Sequence, residues 1–310
     1  MISKLEDLPN EILANIMEYI SSPNDIYQAF NSLNQRFQTI LQHLYLNIDI
    51  SHENKQTLLS NRLFGSYCNR LCLFNICPSI SLHKFSRLRS LTIKEPTESQ
   101  VNSIRSSVLP LLEHLTAPPT MMIFDCLFGN EKQRWKRLHS CSFLRSPFPN
   151  WRNTWKPNST LQKLTDICCS REILTQLLTL VPCLQYLHVE IPVIDDSTWK
   201  YPLHIDHLIS LQFEFVSLNY NDVSALLGGN LRRLYLHIYR KDFPTDFSYL
   251  GTLIASNSPE LKQFECIYEE ENQVDINEVR HAHRIFKNCV LSQSEFDKSY
   301  KLICKSIRYD

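Results

Sequence analysis

The chain has 310 residues, 43% of them hydrophobic, with 32 lysines and arginines balanced by 32 aspartates and glutamates and with five glycines. That length suits two domains, or one domain and a repeat array, and the apolar fraction suffices for a core, which excludes a disordered chain. Zero net charge removes the footprint that non-specific nucleic-acid or anionic-membrane binding needs, and so few glycines exclude the phosphate-cradling loops of most nucleotide-dependent enzymes.

From Leu5 to Leu46 the pattern is helical. Pro9 suits a first helical turn, and Ile12, Leu13, Ile16, Met17 and Ile20 follow at three- and four-residue spacing. Ser22-Pro23-Asn24-Asp25 predicts a new helix start, with Ile26, Ala29, Phe30 and Leu33 on its apolar face. Phe37, Ile40, Leu41 and Leu44 make a third face. Three helices this short carry more apolar positions than they can bury among themselves.

The ordered series Leu5-Glu6-Asp7-Leu8-Pro9-Asn10-Glu11-Ile12-Leu13, then Ile16, Tyr19 and Ile20, then Asp25-Ile26 and Leu33-Asn34-Gln35-Arg36-Phe37, resembles an F-box. Phe37 stands where that family usually has tryptophan, and Asn34 where it has cysteine or serine. The resemblance implies a short all-α bundle over residues 1–50 that docks on the Skp adaptor and, through it, on cullin. It also implies an adaptor-facing or supporting set of Leu8, Pro9, Ile12, Leu13, Ile16, Ile26 and Phe37.

Leucine is the most over-represented residue, with 44 copies, and beyond the helices it repeats. After a possible opening pair, Leu44-Leu46-Ile48-Ile50 and Leu71-Leu73, a phrase L-x-x-L-x-apolar returns. It reads Leu88-Leu91-Ile93, Leu112-Leu115-Ala117, Trp135-Leu138, Leu161-Leu164-Ile167 (one residue late), Leu184-Leu187-Val189, Leu208-Leu211-Phe213, Leu231-Leu234-Leu236 and Leu261-Phe264-Cys266. Its second positions are 24, 23, 26, 23, 24, 23 and 30 residues apart. Such a period is the signature of leucine-rich repeats, each a short strand with its leucines in a shared core. Helices over Glu98–Leu109, Met121–Phe128, Arg171–Leu180, Asn221–Leu227 and Asp246–Ala255 fill the return paths, with Asn221-Asp222 and Thr245-Asp246 as N-caps. Arg280–Asp310 is expected to form a helix or two closing the array. The fold class predicted is therefore α/β: the bundle of residues 1–50, then a leucine-rich-repeat-like solenoid over 51–310 with a helical C-terminal cap.

The chemistry-bearing residues argue against catalysis. There is no H-E-x-x-H, no G-x-S-x-G and no paired carboxylate in an apolar run. The close histidine pairs, His204-x-x-His207 and His281-x-His283, have no nearby cysteine or acid at ligand spacing except Asp206. Eleven cysteines without a Cys-x-x-Cys read as small buried hydrophobes in a reducing compartment. The N-terminus lacks an apolar signal region and no run is long enough to span a bilayer, so the expected location is cytoplasm, nucleus or both. No cofactor, metal, nucleic acid or membrane is expected as a partner.

Two functional classes are expected: by the F-box resemblance, a non-catalytic substrate-recognition subunit of a ubiquitin ligase, or else a leucine-rich scaffold outside any ligase. In either, a target protein is expected on the strand face, where residues flanking the second leucine point outward. These are Arg137, His139, Lys163, Thr165, Tyr186, His188, Ser210, Gln212, Arg233 and Tyr235, with His237 two further along. The stripe carries cations, histidines and tyrosines but no carboxylate, which fits an acidic or phosphorylated target.

Overall fold

The computed structural model describes residues 5–20, 23–30, 33–43, 46–50, 65, 68–74, 80–129, 134–144, 151–191, 199, 203, 205, 207–215, 220–239, 246–270, 275–293 and 300–305. The fold is α/β, and the chain divides into two compact units, Met1–Leu144 and Arg145–Asp310.

The first unit opens with a 3₁₀ turn at Leu5–Asp7 and three helices, α1 (Asn10–Glu18), α2 (Pro23–Phe30) and α3 (Gln35–His43). Asn34 caps α3 by accepting the Phe37 amide at 3.1 Å. Met17, Ile26, Phe30, Phe37, Ile40 and Leu41 form the bundle's interior, with Phe30 and Phe37 stacked at 5.6 Å. Five parallel strands follow in chain order: β1 (Leu46–Ile50), β2 (Cys68–Leu73), β3 (Ser90–Ile93), β4 (His114–Ala117) and β5 (Ser140–Phe143). Helix α4 (Glu98–Ser103), with a Thr97–Gln100 capping box, and α5 (Met121–Phe128) fill two of the return paths. The expected helix to Leu109 stops at Ser103, where Ser106-Ser107 favours a turn; the Leu109 amide instead donates to the Arg105 carbonyl.

In the second unit β6 (Lys163–Cys168), β7 (Tyr186–Ile191), β8 (Ser210–Phe215), β9 (Arg233–Tyr239) and β10 (Gln263–Glu270) are again parallel and sequential. Between them run α6 (Arg171–Leu180), α7 (Tyr220–Leu226) and α8 (Phe247–Asn257), capped at its start by Asp246. Leu164, Leu187, Leu211, Leu234 and Phe264 lie side by side in register, each at most 2% exposed. Apolar residues at every second position put one face of each strand under the helices and leave the other to solvent.

Four expectations fail here. The third repeat is shifted by three residues. Cys141, not Leu138, pairs with Leu115, so its phrase is Leu138-Cys141-Phe143 and Trp135 is an additional buried side chain before it. Asp222 is no N-cap, because α7 begins at Tyr220 and leaves Asp222 in its first turn, fully buried. The C-terminal segment forms no helical cap: after α9 (Ile276–Ala282) come β11 (Cys289–Gln293) and β12 (Tyr300–Lys305), with β12 antiparallel to both β10 and β11. The cysteines are not all free. Cys289 is disulfide-bonded, and its register partner, directly opposite on β12, is Cys304. By contrast the one-residue delay at Ile167 is a β-bulge that takes up an extra residue, with Asp166 at φ 60°.

Candidate functional site

Two surfaces carry the residues singled out by the sequence. The first is the start of α1. The Ile12 and Leu13 amides both donate to the Pro9 carbonyl, which anchors the Leu8-Pro9 turn to the helix. From α3, Arg36 reaches back to this turn: its guanidinium donates to the carbonyls of Glu6 and Leu8, each at 2.5 Å, and its Nε to Asn10 Oδ1 at 2.7 Å. Asn34 Nδ2 adds a bond to Glu6 Oε1 at 3.2 Å. These contacts fix the backbone that presents Leu8 and Pro9.

The seven residues implied by the family resemblance separate into two groups. Leu13, Ile26 and Phe37 are core. Pro9, Ile12 and Ile16 are exposed and Leu8 is half-buried, with Ile12 at 44% and Ile16 at 36%. Ile12, Ile16 and Tyr19 recur at four- and three-residue spacing, so they share one face of the α1 segment. Leu5 and Leu33 are large exposed apolar residues near the same ends of the helices. These exposed apolar side chains lie outside the bundle's core of Leu13, Met17, Ile26, Phe30 and Phe37. Arg36 is the residue whose importance the sequence left obscure: its type is visible, but not that it reaches across 28 residues to Leu8.

The second surface is the solvent face of the strands. In the first unit Arg137 and His139 precede β5 instead of flanking its central residue, as the corrected register requires; the outward residues there are Ser140 and Ser142. His139 instead stands edge-on to His114 at 4.6 Å. In the second unit Lys163, Tyr186 and Arg233 are exposed at the strand starts, as expected. His188 and Tyr235 lie one pleat further along, and His237 another pleat on, where it is buried.

The expected absence of carboxylates does not hold beyond that first row. The bulge brings Asp166 Oδ1 to 3.1 Å from His188 Nδ1, while Glu214 Oε1, on β8, accepts from His188 Nε2 at 2.9 Å. Burial lowers the His188 pKa, but the two carboxylate hydrogen bonds outweigh it and the net shift is upward. With both ring nitrogens engaged by carboxylates, His188 is a strut joining three strands and not an available base.

Other chemistry is muted. Burial pushes the Cys126 thiol up to about 11 and those of Cys68, Cys169 and Cys266 to about 12, which keeps them neutral and weakly nucleophilic. Of the close histidine pairs, His204 lies outside the described residues, His281 Nδ1 contacts the Asn277 carbonyl, and His283 caps a 3₁₀ turn. Among the described residues no group of three or more histidine, cysteine or acidic side chains is arranged to hold a metal ion, and no helix is long and apolar enough to cross a membrane. No family model, no curated protein and no solved structure matches this chain.

Proposed function

We propose that the chain is the substrate-recognition subunit of a Skp–cullin–F-box ubiquitin ligase. In this reading residues 1–50 are an F-box that docks on the Skp adaptor, and the strands and helices of 51–310 form a leucine-rich-repeat-like solenoid that holds a target protein. The chain itself does no chemistry; it raises the target's effective concentration near a ubiquitin-loaded enzyme.

The observation that carries this reading is the exposure of Pro9, Ile12 and Ile16 above a core of Leu13, Ile26 and Phe37. A helical cap serving only the strands would turn its apolar face inward, whereas this face is open and its turn is held rigid by Arg36. Rigid apolar anchors are what an interface uses for most of its affinity. The test is co-expression of the full chain with the Skp adaptor, followed by size-exclusion chromatography. The wild type should co-elute with the adaptor, and Leu8→Ala with Pro9→Ala should abolish co-elution, since truncated central anchors commonly cost about 2 kcal/mol or more. Co-elution of the double variant at the wild-type level sinks the assignment.

A further inference from the structure

On the second unit, exposed cations gather at the strand starts. At the strand starts, successive chains are laced together one residue before each strand. The Gln185 amide donates to the Gln162 carbonyl at 2.8 Å, Ile209 to Gln185 at 2.8 Å, Arg232 to Ile209 at 2.9 Å and Lys262 to Arg232 at 2.9 Å. This ladder borders a groove of about 640 Å³ whose lining includes Gln162, Gln185, His207, Asn230, Arg232 and Glu260. Arg232 is the one cation of that lining; Lys163, Arg233 and Lys262 are exposed at or beside the same strand starts, and none of the four takes part in an ion pair or side-chain hydrogen bond among the described residues. Further along the strands the acidic side chains are engaged within the sheet: Glu214 is buried and, with Asp166, pairs with His188.

We propose that this rim binds an extended acidic peptide, laid across the strand starts from β6 to β10. Its carboxylates would face Lys163 at one end and Arg232, Arg233 and Lys262 at the other. Lys163 and Arg233 are three strand spacings apart, about 14 Å at ~4.8 Å each, the reach of roughly four extended residues at ~3.4 Å. The peptide that fits best therefore carries acidic side chains four residues apart. Glu260, the one carboxylate among the described lining residues, lies at the β10 end beside Lys262 and disfavours an unbroken acidic run there. That interruption favours a peptide over a nucleic acid, whose backbone charge is continuous.

The proposal rests on reading the strand face as the target-binding surface, and its test leaves the adaptor out, so failure here and failure of adaptor docking are separate results. Fluorescence anisotropy of the full chain is measured with a labelled nine-residue peptide holding two glutamate pairs four residues apart, with its glutamine counterpart, and with a labelled single-stranded RNA. The acidic peptide should bind at least tenfold tighter than the glutamine peptide, and more weakly as salt is raised. Arg232→Glu with Arg233→Glu should weaken it at least tenfold and Lys163→Glu, at the far end of the row, severalfold. Lys287→Glu, an exposed cation elsewhere on the unit, should leave it unchanged. Equal binding of the glutamine peptide, indifference to both rim variants, or tighter binding of the RNA would each overturn the proposal.

Discussion

Arg171, in the first turn of α6, donates through Nε and Nη2 to a single oxygen of Asp222, at 2.9 and 2.7 Å, and both side chains are buried. The other oxygen of Asp222 accepts the Trp199 amide at 3.2 Å, and the Trp199 ring lies 5.8 Å from the guanidinium. The pair therefore ties two successive helices through their first turns. Removing either partner leaves a buried charge without compensation, so Asp222→Ala or Arg171→Ala should each destabilise the protein by about 3–5 kcal/mol. Replacing both by apolar residues, Arg171→Met with Asp222→Leu, should cost much less than either single change. Urea denaturation of the three variants checks this; a double variant as unstable as the sum of the singles would refute it.

Leu187, Leu211 and Leu234 occupy equivalent places on β7, β8 and β9, directly in register and almost fully enclosed. Each change to alanine should cost about 2–5 kcal/mol, the range for cavities left in a packed core. An unaltered melting temperature in any one of the three would contradict this packing.

His188 predicts a pH dependence with a definite sign. Its folded pKa lies above the ordinary 6.5, because the bonds to Asp166 and Glu214 favour the charged ring more than burial opposes it. A raised value means that the stabilisation is complete below about 6.5 and fades as the pH rises through the folded pKa. Melting temperatures of wild type and His188→Gln should accordingly differ most on the acid side of 6.5 and converge as the pH rises through the folded pKa. A difference that is constant, or that grows with pH, would show that the strut is not charged.

Thr97 and Gln100 exchange hydrogen bonds at the start of α4, the Gln100 amide donating to Thr97 Oγ1 at 3.2 Å and the Thr97 amide to Gln100 Oε1 at 2.9 Å. Gln100 is also buried and donates to the Ile80 carbonyl at 3.1 Å. Thr97→Ala removes only the cap and should cost about 1 kcal/mol. Gln100→Ala strands a buried carbonyl as well and should cost more. Equal losses in thermal denaturation would mean that the Ile80 contact contributes nothing.

What the sequence made legible is what repeats locally. The strands around Leu91, Leu115, Leu187, Leu211 and Leu234 fall where the phrase puts them, and α5 and α6 match their expected spans to the residue, because apolar periodicity and capping are short-range properties. The repeat at β5 was misread by three residues because Trp135 and Leu138 mimic the phrase, while its true central residue is a cysteine between serines, Ser140-Cys141-Ser142. The bulge at Asp166 was visible as a late Ile167, but not its consequence, a carboxylate delivered to His188. On the strand face, the exposed Lys163, Tyr186 and Arg233 were readable from alternation, whereas the acidic row beyond them depends on how far each strand runs. In the bundle, which apolar residues face outward depends on the packing of all three helices, which no single stretch encodes. The antiparallel end is the least local feature, since β12 pairs with a strand some 35 residues earlier in the chain.

The strand order bears on how the protein is made. Within each unit every parallel strand pairs with the one just before it, so each can be added to an existing edge as it emerges from the ribosome, with only a short loop to close. The last two strands break this sequence, because β12 inserts between β10 and β11. Until residues 300–305 have been released, the edge of β10 that β12 will take has no permanent neighbour. The second unit therefore keeps an open strand edge at β10 until β12 has been made, and such an edge is a template for pairing with another chain.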